Sequence, residues 1–146
     1  MADRVGSINM NKKIKYGAVI LIVAILGLFI GAQQSGNSDT TIQAKEARTQ
    51  LANDSTVVLL DVRTTTEHLT ERIADTPLIP LQELEQRIHE LDSYKGRTII
   101  VYCRSGNRSG SAVKILREHG FKALNMLGGI NHWKSEQFPT ITGPTK

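Results

Sequence analysis

Cysteine is nearly absent: Cys103 is the only one in 146 residues, so no disulfide can form within the chain. A resolving thiol is missing with it, which excludes a self-contained dithiol oxidoreductase. For the same reason, cysteine pairing says nothing about the redox compartment. Histidines are few, and His68, His89, His119 and His132 are scattered over separate predicted helices without metal-ligand spacing. Ordinary surface or helix-end positions are expected for all four. An excess of one charge is also lacking over most of the sequence. The formal net charge of +4 is concentrated at the start, where Arg4, Lys12, Lys13 and Lys15 face only Asp3. From Tyr16 onward, 14 of the 18 basic residues meet 13 of the 14 acidic ones. A nearly neutral remainder offers no polyanion-binding face, and nucleic acid is excluded as an expected partner. No internal repeat is present.

Long apolar runs are limited to one, "YGAVILIVAILGLFIGA", residues 16 to 32, which carries no charge. At about 1.5 Å per helical residue it spans roughly 26 Å, close to the hydrocarbon thickness of a bilayer. Two readings stay open. Residues 16–32 form a transmembrane anchor behind a basic cytoplasmic segment 1–15, or they are a secretory signal cleaved after Ala32, although Ile30 is bulky for such a site. Both readings place the remainder on the periplasmic or extracytoplasmic side, because the lysines hold the N-terminus inside. Residues 33–40 are polar and small and read as a flexible linker, with a domain over 41–140 and a short tail 141–146.

Within the domain, strand-like and helix-like segments alternate. Residues 42–52 predict a helix, with a short strand possible at its start. "TVVLLDV" at 56–62 and "RTIIVY" at 97–102 are apolar runs suited to strands buried on both faces. Residues 64–73 predict a short helix. "PLIPL" at 77–81 predicts a brief strand that its prolines confine to a sheet edge. In "LQELEQRIHEL", Leu81, Leu84, Ile88 and Leu91 share one helical face. "SGSAVKILREHG" predicts a helix closed by Gly120, "FKALNML" a last strand, and "GGINHWKSEQF" a turn and final helix, with Trp133 in the core. Strands separated by helices imply a parallel sheet covered on both faces.

Cys103 lies where one of these strands gives way to the next helix, the position at which open α/β sheets bind ligands. The backbone amides of "RSGNR" can point inward if the loop curls, and Gly106 permits the angles required. Arg104 and Arg108 add positive charge, and the helix start adds unpaired N–H groups. All of this stabilises a thiolate at Cys103 and raises its nucleophilicity. Ser109 is read as the N-cap of the helix. The arginine spacing separates two chemistries. Cysteine-dependent phosphatases carry C-x5-R, wide enough for a phosphoryl group, whereas Cys103 to Arg108 is C-x4-R, a tighter ring suited to one extra sulfur.

This spacing resembles the rhodaneses, and the likeness covers about residues 41 to 140. "VVLLDVRTTTEH" is similar to that family's strand followed by D-V-R, "IPLQEL" to its next helix entry, and "LGGINHW" to its closing G-G-x-x-x-W segment. The loop "CRSGNR" resembles that of thiosulfate-using members. The resemblance implies a rhodanese-like α/β fold with a central five-stranded parallel sheet and helices on both faces, and no metal or organic cofactor. It further implies a thiosulfate sulfurtransferase working through a persulfide on Cys103, with thiosulfate as donor and a thiol or cyanide as acceptor, in a monomer. A persulfide carrier serving a protein partner is the alternative. In this reading the amides of Arg104, Ser105, Gly106, Asn107 and Arg108 surround the persulfide. Arg104 faces the mouth, Arg108 binds the donor or braces the loop, and Asp61 and Arg63 support it through an ion pair or backbone contacts. The chain departs from the family at "EHLTERIADT". There His68 replaces an aromatic, Glu71 and Arg72 replace Gly-His, and Asp75 and Thr76 replace Gly-Ala, which reshapes the turn toward the edge strand.

Overall fold

The structure is a computed structural model that describes residues 39–143. The run 16–32 and the segments on either side of it, up to residue 38, lie outside the described residues. Among those described, no helix is long and apolar enough to cross a membrane. The elements follow in the order β1 (Thr41–Ile42), α1 (Ala44–Asn53), β2 (Val58–Asp61) and α2 (Thr65–Thr70), then α3 (Leu84–Arg87) flanked by 3-10 turns, β3 (Thr98–Tyr102), α4 (Asn107–Glu118), β4 (Lys122–Met126) and α5 (Gly129–Ser135).

The strands pair in parallel in the order β1-β4-β3-β2. Period-two alternation divides their side chains between two cores. Val58, Leu60, Ile99 and Val101 pack on one face with Leu84, Leu91, Ala112, Val113 and Leu116 from α3, its flanking turns and α4. Leu59, Ile100 and Tyr102 point the other way, onto Ala44 and Ala47 of α1 and Ile130 and Trp133 of α5. Each fully buried Leu or Ile contributes about 1.5–3 kcal/mol, so the two layers together fix which ends of the strands come side by side.

Among the described residues the sheet has four strands rather than the expected five. The fifth position is reduced to a single parallel bridge between Asp61 and Leu78. Asp61 N donates to Pro77 O and Ile79 N donates to Asp61 O, at 3.0 Å each. Pro77 and Pro80 have no N–H to extend the ladder, which explains the short pairing. The segment 81–94 is also not one helix. A 3-10 turn at Leu81–Glu83, the four residues of α3 and a second 3-10 run at Ile88–Tyr94 follow one another. Leu81 and Leu84 are three apart, as are Ile88, Leu91 and Tyr94, and all pack against the first core. At three residues per turn such spacing keeps one ridge inward.

The departure region has its own anchoring. Arg72 is buried, exchanges backbone hydrogen bonds with Ile141 at 2.8 Å each way, and its side chain reaches Gly143 O and Asp75. Arg72, which stands with Glu71 in place of Gly-His, thus binds the end of the described chain, Asp75 pairs with Arg72, and Thr76 Oγ1 adds a bond to Leu59 O at 2.8 Å.

Candidate active site

Parallel pairing brings the carboxyl ends of β2 and β3 together, so Asp61 and Arg63 lie beside the segment that follows Tyr102. Cys103 ends the strand run and is only 1% exposed. The next residues curl because Gly106 adopts φ 100, a left-handed conformation that a side chain would oppose. Gly106 is itself the N-cap position, so α4 begins at Asn107. Ser109 is therefore not the N-cap expected from sequence. It falls within the first turn, fully buried, where its side chain turns toward the sulfur.

Around Cys103 Sγ, the Gly106 amide donates at 3.1 Å and the Ser109 Oγ lies at 3.4 Å, within reach to donate to a thiolate. Burial pushes the thiol up, but the Ser109 hydroxyl and the amides of Ser109, Ser105 and Gly106 outweigh it and hold the group below its ordinary value. The ring accommodates a sulfur anion in a water-poor site.

The two loop arginines separate. Arg104 is exposed and makes no ion pair with any described residue. It borders a cleft of about 270 Å³ lined also by Arg63, Thr66, Glu67, Thr70 and Asn131. Arg108 instead makes a two-pronged ion pair with Glu67 of α2, at 2.7 and 2.8 Å. Of the two roles open to Arg108, the geometry gives it the bracing one. Glu67 is held from its other side by Thr64, whose N and Oγ1 donate to Oε2 in a capping box. The Arg108 guanidinium pulls the Glu67 carboxyl down to about 2. Ser105 and Asn107 are exposed, contributing an amide to the ring and the first residue of α4 respectively.

Beneath the loop, Asp61 is wholly buried and accepts from Arg63 N, Nε and Nη2 at 2.6–3.1 Å, and from Tyr102 Oη at 2.8 Å. His68 Nδ1 lies 2.9 Å from the same carboxylate, and its Nε2 has no partner among the described residues. His68 is in the last turn of α2, the helix-end position expected, but at 2% exposure it is buried and not on the surface. The burial has a local cause: its imidazole turns toward the buried Asp61 carboxylate, seven positions earlier in the chain. Arg63 also donates to Glu71 O at 2.8 Å, tying the end of α2 to the network. Burial disfavours charge on Arg63, and Asp61 more than restores it. Trp133 packs edge-on against Phe138 at 5.1 Å, in the core as expected.

Sequence reasoning missed Glu67, Tyr102 and Asn125. Thr64 and Glu67 carry a capping-box spacing that was available to it, but nothing local marks Glu67 as the partner of Arg108 or Asn125 as the partner of Ser109. No cluster of metal-ligating side chains occurs among the described residues.

An anion-binding cysteine loop at the carboxyl edge of a parallel α/β sheet, with its arginine at C-x4-R spacing, places the chain among domains that work through a cysteine nucleophile. The chain belongs to the rhodanese-like domain family, whose model matches residues 43–136. It is 33% identical over 101 residues to a sulfurtransferase of Allochromatium vinosum, covering 68% of this chain and 92% of the relative. It is 33% identical over 84 residues to the thiosulfate sulfurtransferase PspE of Escherichia coli, covering 58% and 78%. An uncharacterized Synechocystis protein is 35% identical over 108 residues, and the match spans only 59% of that relative's length. A rhodanese-related protein of Thermoplasma volcanium superposes with a TM-score of 0.64 at 29% identity, covering 70% of this chain and 97% of that one. Relatives named sulfurtransferase, together with a putative sulfur carrier of Bacillus subtilis at 29% identity, support a sulfur-transfer or persulfide role.

Proposed function

We propose that the protein is a thiosulfate sulfurtransferase that works through a persulfide on Cys103. The Cys103 thiolate attacks the outer sulfur of thiosulfate. A new S–S bond forms, the old one breaks, and sulfite leaves with the electron pair. An acceptor thiolate or cyanide then takes the outer sulfur and returns the Cys103 thiolate. Arg104, exposed at the cleft, draws the dianionic donor, and the amides of Ser105, Gly106 and Ser109 stabilise the charge left on sulfur. The observation that carries the reading is the ring of donors around a buried sulfur, followed directly by Arg104, which is exposed and makes no ion pair among the described residues. The test is thiocyanate formation from thiosulfate and cyanide by the full chain. Cys103→Ser should abolish it, and turnover surviving that change would sink the assignment.

A carrier that holds sulfur for one protein partner is the second reading. The 1% exposure of Cys103 and the likeness to a putative sulfur carrier favour it. A carrier would gain the mass of one sulfur atom from thiosulfate yet turn over negligibly. The proposed location is a membrane, through residues 16–32, with the domain on the extracytoplasmic side. The intact mass of the protein from its native source would report both retention of that segment and resident sulfur.

A further inference from the structure

Ser109 has one hydroxyl proton and two acceptors. Its Oγ lies 2.6 Å from Asn125 Oδ1 and 3.4 Å from Cys103 Sγ. A hydroxyl donates to one acceptor at a time, and here it is fully buried, so water does not relieve the competition. Asn125 is well fixed. It stands on β4 in register with Val101 on one side and Thr41 on the other, and its N donates to Thr40 O at 2.8 Å. Its Nδ2 sits over Gly110 so closely that a Cβ there would come within 3.3 Å. The amide carbonyl is therefore held against Ser109.

We infer that Asn125 is a positioning residue of the cysteine site: by accepting the Ser109 proton it withholds that hydroxyl from the Cys103 sulfur and so sets how readily the sulfur ionises. With Cys103 as a thiol, S–H donates to Ser109 Oγ while Ser109 donates to Asn125. On ionisation the thiol proton passes to solvent buffer. The Ser109 O–H then turns from Oδ1 to Sγ, breaking one hydrogen bond and forming another, and Asn125 Oδ1 loses its donor. That loss opposes ionisation. It keeps the thiolate less stabilised, and more nucleophilic, than a free Ser109 would leave it. The inference rests on Cys103 being the reactive group, but not on which donor it attacks.

The test is the pH dependence of Cys103 alkylation by iodoacetamide in the full chain. Charged groups on the loop and the elements around it are Arg104, Arg108 with its partner Glu67, and Asp61 with Arg63, and α5, which bonds to the loop, carries the titratable His132. All are retained in every variant. Asn125→Ala should lower the midpoint by about half a pH unit and, with the thiolate correspondingly less nucleophilic, speed alkylation roughly twofold below it. Ser109→Ala should raise the midpoint, and adding Asn125→Ala to it should change nothing more. Asn125→Asp keeps the grip on the hydroxyl, brings a like charge, and should raise the midpoint. An Asn125→Ala midpoint that rises or stays put overturns the inference, as does an equal shift in the Ser109→Ala background. Should Asn125→Ala fail to fold by circular dichroism, an unmoved midpoint in Asn125→Asp overturns it instead. Alkylation needs no sulfur donor, so loss of the thiosulfate reading would leave this result interpretable.

Discussion

Asp61 gathers donors from three other residues at a site closed to water, and that concentration sets its expected cost of removal. Asp61→Ala would leave Arg63 charged, buried and without its carboxylate, and should lower unfolding free energy by about 3–5 kcal/mol in a urea titration. Tyr102→Phe removes one hydroxyl from the same network and should cost only about 1 kcal/mol. Similar costs for the two would show that the carboxylate is not its centre. Glu67 permits a prediction in pH. Its carboxyl is pulled to about 2 in the fold by Arg108, below its ordinary 4.5. A depressed pKa contributes stability that is complete above the unfolded value and lost as pH falls through the folded one. The melting temperature should therefore drop between about pH 4.5 and 2, and Glu67→Gln should flatten that stretch of the profile. An unchanged slope would mean that other carboxylates carry the acid response.

At the scale of elements, the start of α5 is bolted to the cysteine loop. Ile130 N donates to Cys103 O at 2.9 Å and Asn131 N to Arg104 O at 3.2 Å. Such closeness requires Gly129, where a Cβ would lie 2.2 Å from Cys103 O and φ is 55. Gly129→Ala should destabilise the fold by on the order of 3 kcal/mol and displace the loop, read as a lower melting temperature with slower alkylation of Cys103. A melting temperature equal to that of the parent would refute the close packing. The elements were unequally legible in the sequence. The apolar runs at 56–62 and 97–102 and the Leu-rich face at 81–91 announce burial whatever the detailed geometry. The four-residue α3 and its 3-10 neighbours did not show, because spacings of three and four serve both helix types. The single bridge at Leu78 was half visible, since prolines at 77 and 80 mark an edge without stating how little of it pairs.

Over the whole molecule, the sequence disclosed the sulfur loop because its ingredients are contiguous: Cys103, Gly106, two arginines and a helix start. Its supports come from elsewhere in the chain. Glu67 meets Arg108 across 41 positions and Asn125 meets Ser109 across 16, and such pairings emerge only when a parallel sheet folds. The burial of His68 was missed for the same reason, since its contact with the Asp61 carboxylate forms only in three dimensions. One property of the assembled site governs timing. On the proposed function the transferred sulfur rests on the buried Cys103 between two half-reactions, so donor and acceptor must take turns. Double-reciprocal plots should then run parallel, and added sulfite should compete with the acceptor rather than with thiosulfate, because both seek the loaded form. Intersecting lines would mean that donor and acceptor are bound together before the sulfur moves, against a loaded cysteine that outlives its donor.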